Sequence, residues 1–294
     1  MRASKLDRSV VLFPSQPGRM PGCTSGWLSP MCCAARDAPV NESSRRNGFA
    51  GDWRTMRAVD LDAVARVARR LERLGIDHAF TGGAVVGLLL DNPELIQIRP
   101  TNDVDAIAAV LTRAAYIEME ERLRGLGFRH DTSEGAPVCR WMYEGIKVDV
   151  MPARDQTGQF ADRWFEYALT TACPVILPGV TARVVRATSF VATKLTAFED
   201  RGENDYRGSH DLEDVLTVVD GRLSLAAELQ AERPDLRRYV GSTLRGLLSR
   251  AAFYDAIPGH LPPDHASQQR LPLLIGRLEE LASLGNELGE DSPS

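Results

Sequence analysis

Apolar residues recur at helical spacing over residues 61–74, with arginines between them, and the Gly75 that follows is a typical helix end. The apolar run 76–81 then predicts a short buried strand. Gly82 and Gly83 come next and lead into a second apolar helix. This order places the glycine pair at a helix N-terminus, where free amide groups and the helix dipole favour phosphate.

Two further predicted strands carry acidic residues at alternating positions. In the strand that starts near Asp103, period-two geometry puts Asp103 and Asp105 on one face and turns Val104 into the core. In the strand 146–150, Asp149 lies on the face opposite the apolar residues. Antiparallel or parallel pairing of the two strands would bring the three carboxylates together. Carboxylates held this close bind protons or a divalent cation strongly.

Each acid also has an ordinary structural interpretation. Asp103 suits a turn, Asp105 suits the start of a strand, and Asp149 suits an exposed position paired with Lys147. Their joint occurrence after a glycine pair favours a site that binds metal and phosphate. In two-metal nucleotidyl transfer, aspartates hold Mg²⁺ against triphosphate oxygens while a further carboxylate orients or deprotonates the attacking hydroxyl. This chemistry needs no catalytic cysteine, serine or histidine.

Helical patterns dominate the later part of the chain. Lys194 follows Phe190 and precedes Phe198 at spacing i, i+4, i+8, so its ammonium group must leave an apolar stripe or meet an anion. Asp211 and Asp214 are three residues apart and share a helix face. A triphosphate is one partner for the lysine, and a salt bridge with either aspartate is the alternative.

The composition narrows the class of partner. The chain has 294 residues, 44% of them hydrophobic and 26% charged, which is ordinary for a globular protein. Its net charge of −5 gives no general attraction to nucleic acid or to an anionic membrane, so an RNA partner needs a local basic patch. Five cysteines without zinc-ligand spacing indicate a reducing, cytoplasmic location. No apolar run approaches the ~18 residues that span a bilayer.

The same patterns divide the chain into four segments. Residues 1–55 lack periodicity, which predicts a disordered extension or sequence upstream of a true start at Met56. Residues 56–187 form the predicted core, and residues 188–284 form a helical region that packs against it. Residues 285–294 are expected to be a disordered tail.

Several short motifs follow one another in a fixed order. They are Thr81-Gly82-Gly83, Thr101-x-Asp103-x-Asp105, Asp149 on the second acidic strand, Lys194 in a helix and Asp211-x-x-Asp214 in the next helix. This order resembles the nucleotidyltransferase core of the polymerase-beta superfamily and, within it, the AbiEii/AbiGii-type toxin nucleotidyltransferases. The likeness covers roughly residues 58 to 222 and rests on the order of the motifs.

The resemblance implies an α/β (α+β) fold, in which helices flank a mixed sheet and a helical region follows. It also implies Mg²⁺-dependent transfer of a nucleoside monophosphate from an NTP to an acceptor hydroxyl, with tRNA as acceptor and an antitoxin as partner. The implied roles are metal binding by Asp103, Asp105 and Asp149, phosphate contact by Gly82, Gly83 and Thr101, triphosphate binding by Lys194, and base or nucleotide contact by Asp211.

Two other functions fit the same core. One is nucleotidyl transfer to a small hydroxylated molecule such as an aminoglycoside, which the acidic pI near 5.6 mildly favours. The other is a catalytically silent module that binds a nucleotide. The intact pair Asp103 and Asp105 argues against a silent module, because such a module needs no adjacent like charges.

Overall fold

The structure is a computed structural model that describes residues 53–154, 162–202 and 204–285, with side chains from residue 61 onwards. The predictions for the N-terminal extension and the C-terminal tail concern residues that lie almost entirely outside these ranges. They stay predictions.

A mixed seven-stranded sheet forms the centre of the described part of the chain, with strand order β3-β4-β5-β2-β1-β7-β6. The strands are β1 His78–Thr81, β2 Asp103–Ala108, β3 Arg129–His130, β4 Arg140–Tyr143, β5 Ile146–Pro152, β6 Cys173–Leu177 and β7 Val180–Val184. β2 pairs antiparallel with β1 and parallel with β5, and β1 pairs parallel with β7. The two acidic strands, β2 and β5, are therefore direct neighbours at the middle of the sheet.

Eleven α-helices occur within the described ranges. They are α1 Trp53–Leu71, α2 Val86–Leu89, α3 Arg113–Gly125, α4 Phe165–Thr170, α5 Ala187–Arg201, α6 His210–Gly221, α7 Leu225–Gln230, α8 Pro234–Leu248, α9 Ala251–Tyr254, α10 His265–Gln268 and α11 Leu271–Ser283. α1 and α4 contact the strands, whereas α5 packs against both α6 and α8. None of these helices combines the length and the apolar composition that crossing a membrane requires.

Local sequence signals explain several element ends. Gly75 adopts a left-handed conformation with φ of 68° after the first helix, as its position predicts. The Thr112 side chain caps α3 by accepting a hydrogen bond from the backbone of Ala115 at 3.2 Å. Ser209 caps α6 in the same way through the backbone of Leu212 at 3.3 Å. The start of α6 at His210 fixes where its acidic face begins.

The core confirms the alternation that the sequence shows. Val148 and Val150 of β5 are fully buried, and so are Ala106 of β2 and Phe80 of β1. Trp141 of β4 is also fully buried, as expected of a core anchor. Burial of these residues leaves the polar positions of the central strands on the opposite face, where they can form a site.

The predicted fold class, mixed α/β with flanking helices, is confirmed. Two details differ from the sequence pattern. The hairpin of β6 and β7 was not predicted, and the helical pattern of residues 236–253 is divided between α8, which ends at Leu248, and α9. Pro174 weakens the strand signal of β6, and the edge of the sheet, where β6 lies, is the place that tolerates proline.

Candidate active site

Three carboxylates meet on the neighbouring strands β2 and β5. The parallel register sets Asp105 opposite Asp149, and Asp103 lies two residues before Asp105 on the same face. One oxygen from each carboxylate lies within 4.8 Å of the other two. A set of ligands made only of carboxylate oxygens at this spacing suits a hard cation such as Mg²⁺. The predicted pairing of the two acidic strands is therefore present, and it is parallel.

The glycine pair gives Asp105 the room that its side chain occupies. Gly82 has a φ of 74°, and a Cβ built there would lie 1.7 Å from Oδ2 of Asp105. Only glycine fits this position, both for its backbone conformation and for this close approach. Gly83 starts a short 3-10 turn that leads into the four-residue helix α2, so a helix dipole contributes little here. Phosphate contact by the pair stays a prediction.

Thr101 forms a hydrogen bond with Asp103, one of the three candidate metal ligands. Its hydroxyl donates a hydrogen bond of 2.5 Å to Oδ1 of Asp103. A hydroxyl has one proton to donate, so a donated bond from Thr101 to phosphate would have to replace this one. The observed contact fixes the orientation of the Asp103 carboxylate.

Burial and neighbouring charges perturb the protonation of Asp105. Burial and the charge of Asp103 raise the pKa of Asp105 to about 7, while the charge of Lys194 partly offsets them. A cation bound between the carboxylates would remove the cost of ionising this group. The raised pKa of Asp105 is thus a consequence of holding like charges together.

Arg140 forms a two-pronged salt bridge with the third acid. Its Nε donates to Oδ1 of Asp149 at 2.8 Å, and its Nη2 donates to Oδ2 at 2.7 Å. The same Nη2 lies 3.4 Å from Oδ2 of Asp103. The sequence interpretation paired Asp149 with Lys147, but the exposed Lys147 side chain has no such contact among the described ion pairs.

Lys194 belongs to a chain of alternating charges. Its Nζ lies 3.0 Å from Oδ1 of Asp211 and 2.7 Å from Oδ2 of Asp214. Arg99 donates to both oxygens of Asp214 at 2.8 and 2.9 Å, and Arg201 donates to both oxygens of Asp211 at 3.1 and 3.2 Å. Three cations and two carboxylates give this cluster, which we call the Lys194 network, a formal charge of +1.

The Lys194 network fixes the ionisation of Asp211. Burial alone would raise the pKa of Asp211, but the charges of Lys194 and Arg201 hold it below its ordinary value. Burial likewise disfavours the charged form of Lys194, and the two carboxylates overcome this effect and raise its pKa. Asp211 is therefore a firmly ionised carboxylate and a weak base in this arrangement.

The Lys194 network borders the three carboxylates. The charge of Lys194 acts on Asp105, and Nη2 of Arg99 lies at Gly83, 2.8 Å from where a Cβ would be. An acidic group and a net cationic group thus lie side by side. Such a pair can take a metal ion on one side and phosphate oxygens on the other.

No family model matches the sequence, and no curated protein matches it. Several solved structures do match. An antigenic nucleotidyltransferase-like protein from Paracoccidioides brasiliensis is 20% identical, with a TM-score of 0.39, over 61% of this chain and 91% of that chain. JHP933 from Helicobacter pylori is 14% identical, with a TM-score of 0.40, over 79% and 93%. The antibiotic-resistance factor ANT(2'')-Ia is 13% identical, with a TM-score of 0.39, over 59% and 88%. The functional argument rests on the side chains described above.

Two arginines of the site escaped sequence reasoning. The two-residue turn Glu144-Gly145, with positive φ at both positions, joins β4 to β5 and sets Arg140 opposite Asp149. Interpreting this hairpin from the sequence would have found Arg140. Arg99 had no such signal, because its partner Asp214 lies 115 residues away along the chain.

We expect Asp105→Asn to stabilise the protein in metal-free buffer. The pKa of Asp105 is about 7 in the folded protein, compared with an ordinary value of 3.8. Protonation of Asp105 therefore favours the folded state, fully at pH values below the unfolded pKa, and this contribution is lost as the pH rises towards about 7. The advantage of Asp105→Asn should therefore grow from about pH 4 to about pH 7 and then stay constant. Urea unfolding with a chelator, near pH 5 and near pH 8, measures it.

The control for this experiment is Asp62→Asn, which removes an exposed carboxylate of α1 paired with Arg66. Its effect on the free energy of unfolding should be small at both pH values. A wild-type protein as stable as Asp105→Asn at the higher pH would show that like-charge crowding at the site has no energetic cost.

Proposed function

We propose that this protein is a Mg²⁺-dependent nucleotidyltransferase that transfers a nucleoside monophosphate from an NTP to an acceptor hydroxyl. The observation that carries the proposal is the group Asp103, Asp105 and Asp149, whose oxygens lie within 4.8 Å of one another on paired strands. Like charges at this distance are costly unless a cation joins them. A fold that keeps them together beside a cationic cluster is suited to binding a metal–triphosphate complex.

The residues present fit Mg²⁺, because the ligands are all carboxylate oxygens and one of them is already oriented by Thr101. Asp103 and Asp105 would hold the ion, with Asp149 as the third carboxylate of the group. Bound Mg²⁺ supplies neutralisation of the charge that develops on the triphosphate and on the attacking oxygen. Gly82 has no side chain to collide with Asp105, so the Asp105 carboxylate can lie directly against the Gly82 backbone.

We assign the triphosphate to the Lys194 network. The side chain of Lys194 is 13% exposed and that of Arg99 is 17% exposed, so both can present N–H groups to phosphate with little remaining hydration. The lowered pKa of Asp211 disfavours its role as a base and favours its role as an anchor for Lys194 and Arg201. In this proposal Asp211 acts as a nucleotide-site contact.

We propose a tRNA hydroxyl as the acceptor, following the resemblance to AbiEii/AbiGii-type toxins, with an antitoxin as the regulating partner. A small hydroxylated molecule such as an aminoglycoside is the second candidate. The net charge of −5 favours a small-molecule acceptor over RNA. Intramolecular contacts of arginines in the helical region favour it too. Arg245 donates to the backbone of Ala282, and Arg250 donates to Asn204 and Tyr206, so these two arginines are already engaged within the chain.

Incubation with each of the four α-labelled NTPs and Mg²⁺ tests the proposal, with tRNA in one series and an aminoglycoside panel in the other. We expect label transfer in one series, and its loss in Asp103→Ala and Asp105→Ala. Asp62→Ala, which removes an exposed acid of α1, is the matched control and should transfer normally. Nucleotide binding without transfer to any acceptor would overturn the proposal in favour of a silent binding module.

A further inference from the structure

Arg140 occupies the side of the carboxylate group that faces β4. Both oxygens of Asp149 accept hydrogen bonds from its guanidinium, at 2.8 and 2.7 Å. The side chains of Arg140 and Asp149 are only 19% and 10% exposed, so water competes weakly for this pair. The hairpin register that places Arg140 opposite Asp149 makes the contact a property of the fold.

This contact divides the three carboxylates into two kinds. Asp149 already has a cation on both of its oxygens. Asp105 has no salt bridge among the described residues, and Asp103 has only the longer 3.4 Å contact with Arg140 and the hydrogen bond from Thr101. A divalent ion that bound Asp149 would have to displace the guanidinium or lie beside it, at the cost of repulsion between like charges. Binding to Asp103 and Asp105 carries a smaller cost.

We propose that Arg140 is a built-in cation that takes the place of a metal ion at Asp149, so that the group holds a single divalent ion on Asp103 and Asp105. The inference rests on the proposed function in that it needs this group to bind metal. In this arrangement Asp149 serves to position Arg140, and Arg140 limits the affinity of the group for cations. Arg140 is thus a specificity-determining residue of the metal site.

The opposite role makes the opposite prediction. If Arg140 only oriented Asp149 as a metal ligand, its removal would weaken metal binding, by roughly 10- to 100-fold for a typical supporting contact. If Arg140 competes with the metal, its removal frees a carboxylate and tightens binding. The direction of the change in affinity therefore separates the two roles.

Titration of the full chain with Mn²⁺, followed by electron paramagnetic resonance of the free ion without nucleotide, measures affinity and stoichiometry independently of transfer. We expect a single Mn²⁺ per wild-type chain. In Arg140→Gln we expect binding tighter by roughly tenfold or more, because repulsion of the ion is removed. Arg140→Lys keeps the charge but loses the two-pronged contact, so its affinity should lie between those of the wild type and of Arg140→Gln.

Arg129→Gln is the matched control, because Arg129 is an exposed arginine on the adjacent strand β3. Its Mn²⁺ affinity should equal that of the wild type. Unchanged or weaker binding in Arg140→Gln would overturn the role of Arg140 alone. Absence of Mn²⁺ binding in the wild type and in every variant would overturn the metal site, and with it the proposed function. If Arg140→Gln fails to fold, Arg140→Met and Arg140→Lys decide the question by the same comparison.

Discussion

Replacement of Asp103 by asparagine is expected to lower the rate of nucleotidyl transfer by roughly a thousandfold, the scale on which preorganised electrostatic contacts act. The substitution keeps the size of the side chain and an oxygen that can accept the hydrogen bond from Thr101. It removes one of the two negative charges that we assign to the cation. The loss should therefore appear in kcat with the fold intact, as single-turnover transfer from a labelled NTP can measure.

Asp62→Asn supplies the comparison for this variant, since it removes the same charge from an exposed helix position far along the chain from β2. It should transfer at the wild-type rate. An Asp103→Asn protein that retained more than about a tenth of wild-type activity would contradict the role of Asp103, because loss of a charged ligand should cost several kcal/mol in the transition state. Equal thermal unfolding of the variants would show that the comparison concerns chemistry.

The central part of the site was predictable because it depends on short-range rules. Alternation placed Asp103 and Asp105 on one face of β2 and Asp149 on the polar face of β5, and the parallel register of the two strands brings the three together. The apolar stripe around Lys194 required an anionic partner, and two of the partners considered, Asp211 and Asp214, both contact it. Local periodicity carried this information.

The cations of the site were less accessible to sequence reasoning. Arg140 depends on the register of one hairpin, which the turn Glu144-Gly145 sets. Arg99 depends on the packing of α6 near the glycine pair, which no local pattern reports. Arginines are usually solvated, so their residue type alone gives no reason to place them in a site.

These cations compensate the carboxylates of the site. The group of three carboxylates is compensated by one arginine, and the Lys194 network has one cation in excess. Asp214 is the central residue of the Lys194 network, because it contacts both Arg99 and Lys194 and its side chain is only 2% exposed. Its removal leaves Arg99 without its carboxylate partner and leaves Lys194 with Asp211 alone.

Asp214→Asn is therefore expected to lower the free energy of unfolding by roughly 3–5 kcal/mol, the usual cost of leaving a buried charge without its partner. Asp211→Asn should cost clearly less. Its other partner, Arg201, is 70% exposed and can return to water, and Lys194 keeps Asp214. Urea unfolding at neutral pH compares the two variants directly, and equal losses would show that Asp214 has no special place in the network.

A second substitution tests the cause of that loss. Arg99→Met in the Asp214→Asn background removes the cation that has lost its carboxylate partner, so the double variant should be more stable than Asp214→Asn alone, although Arg99→Met by itself is destabilising. The size of this recovery measures the coupling between Arg99 and Asp214. If the two losses simply add, the bidentate contact contributes nothing to stability, and the network serves the binding of phosphate alone.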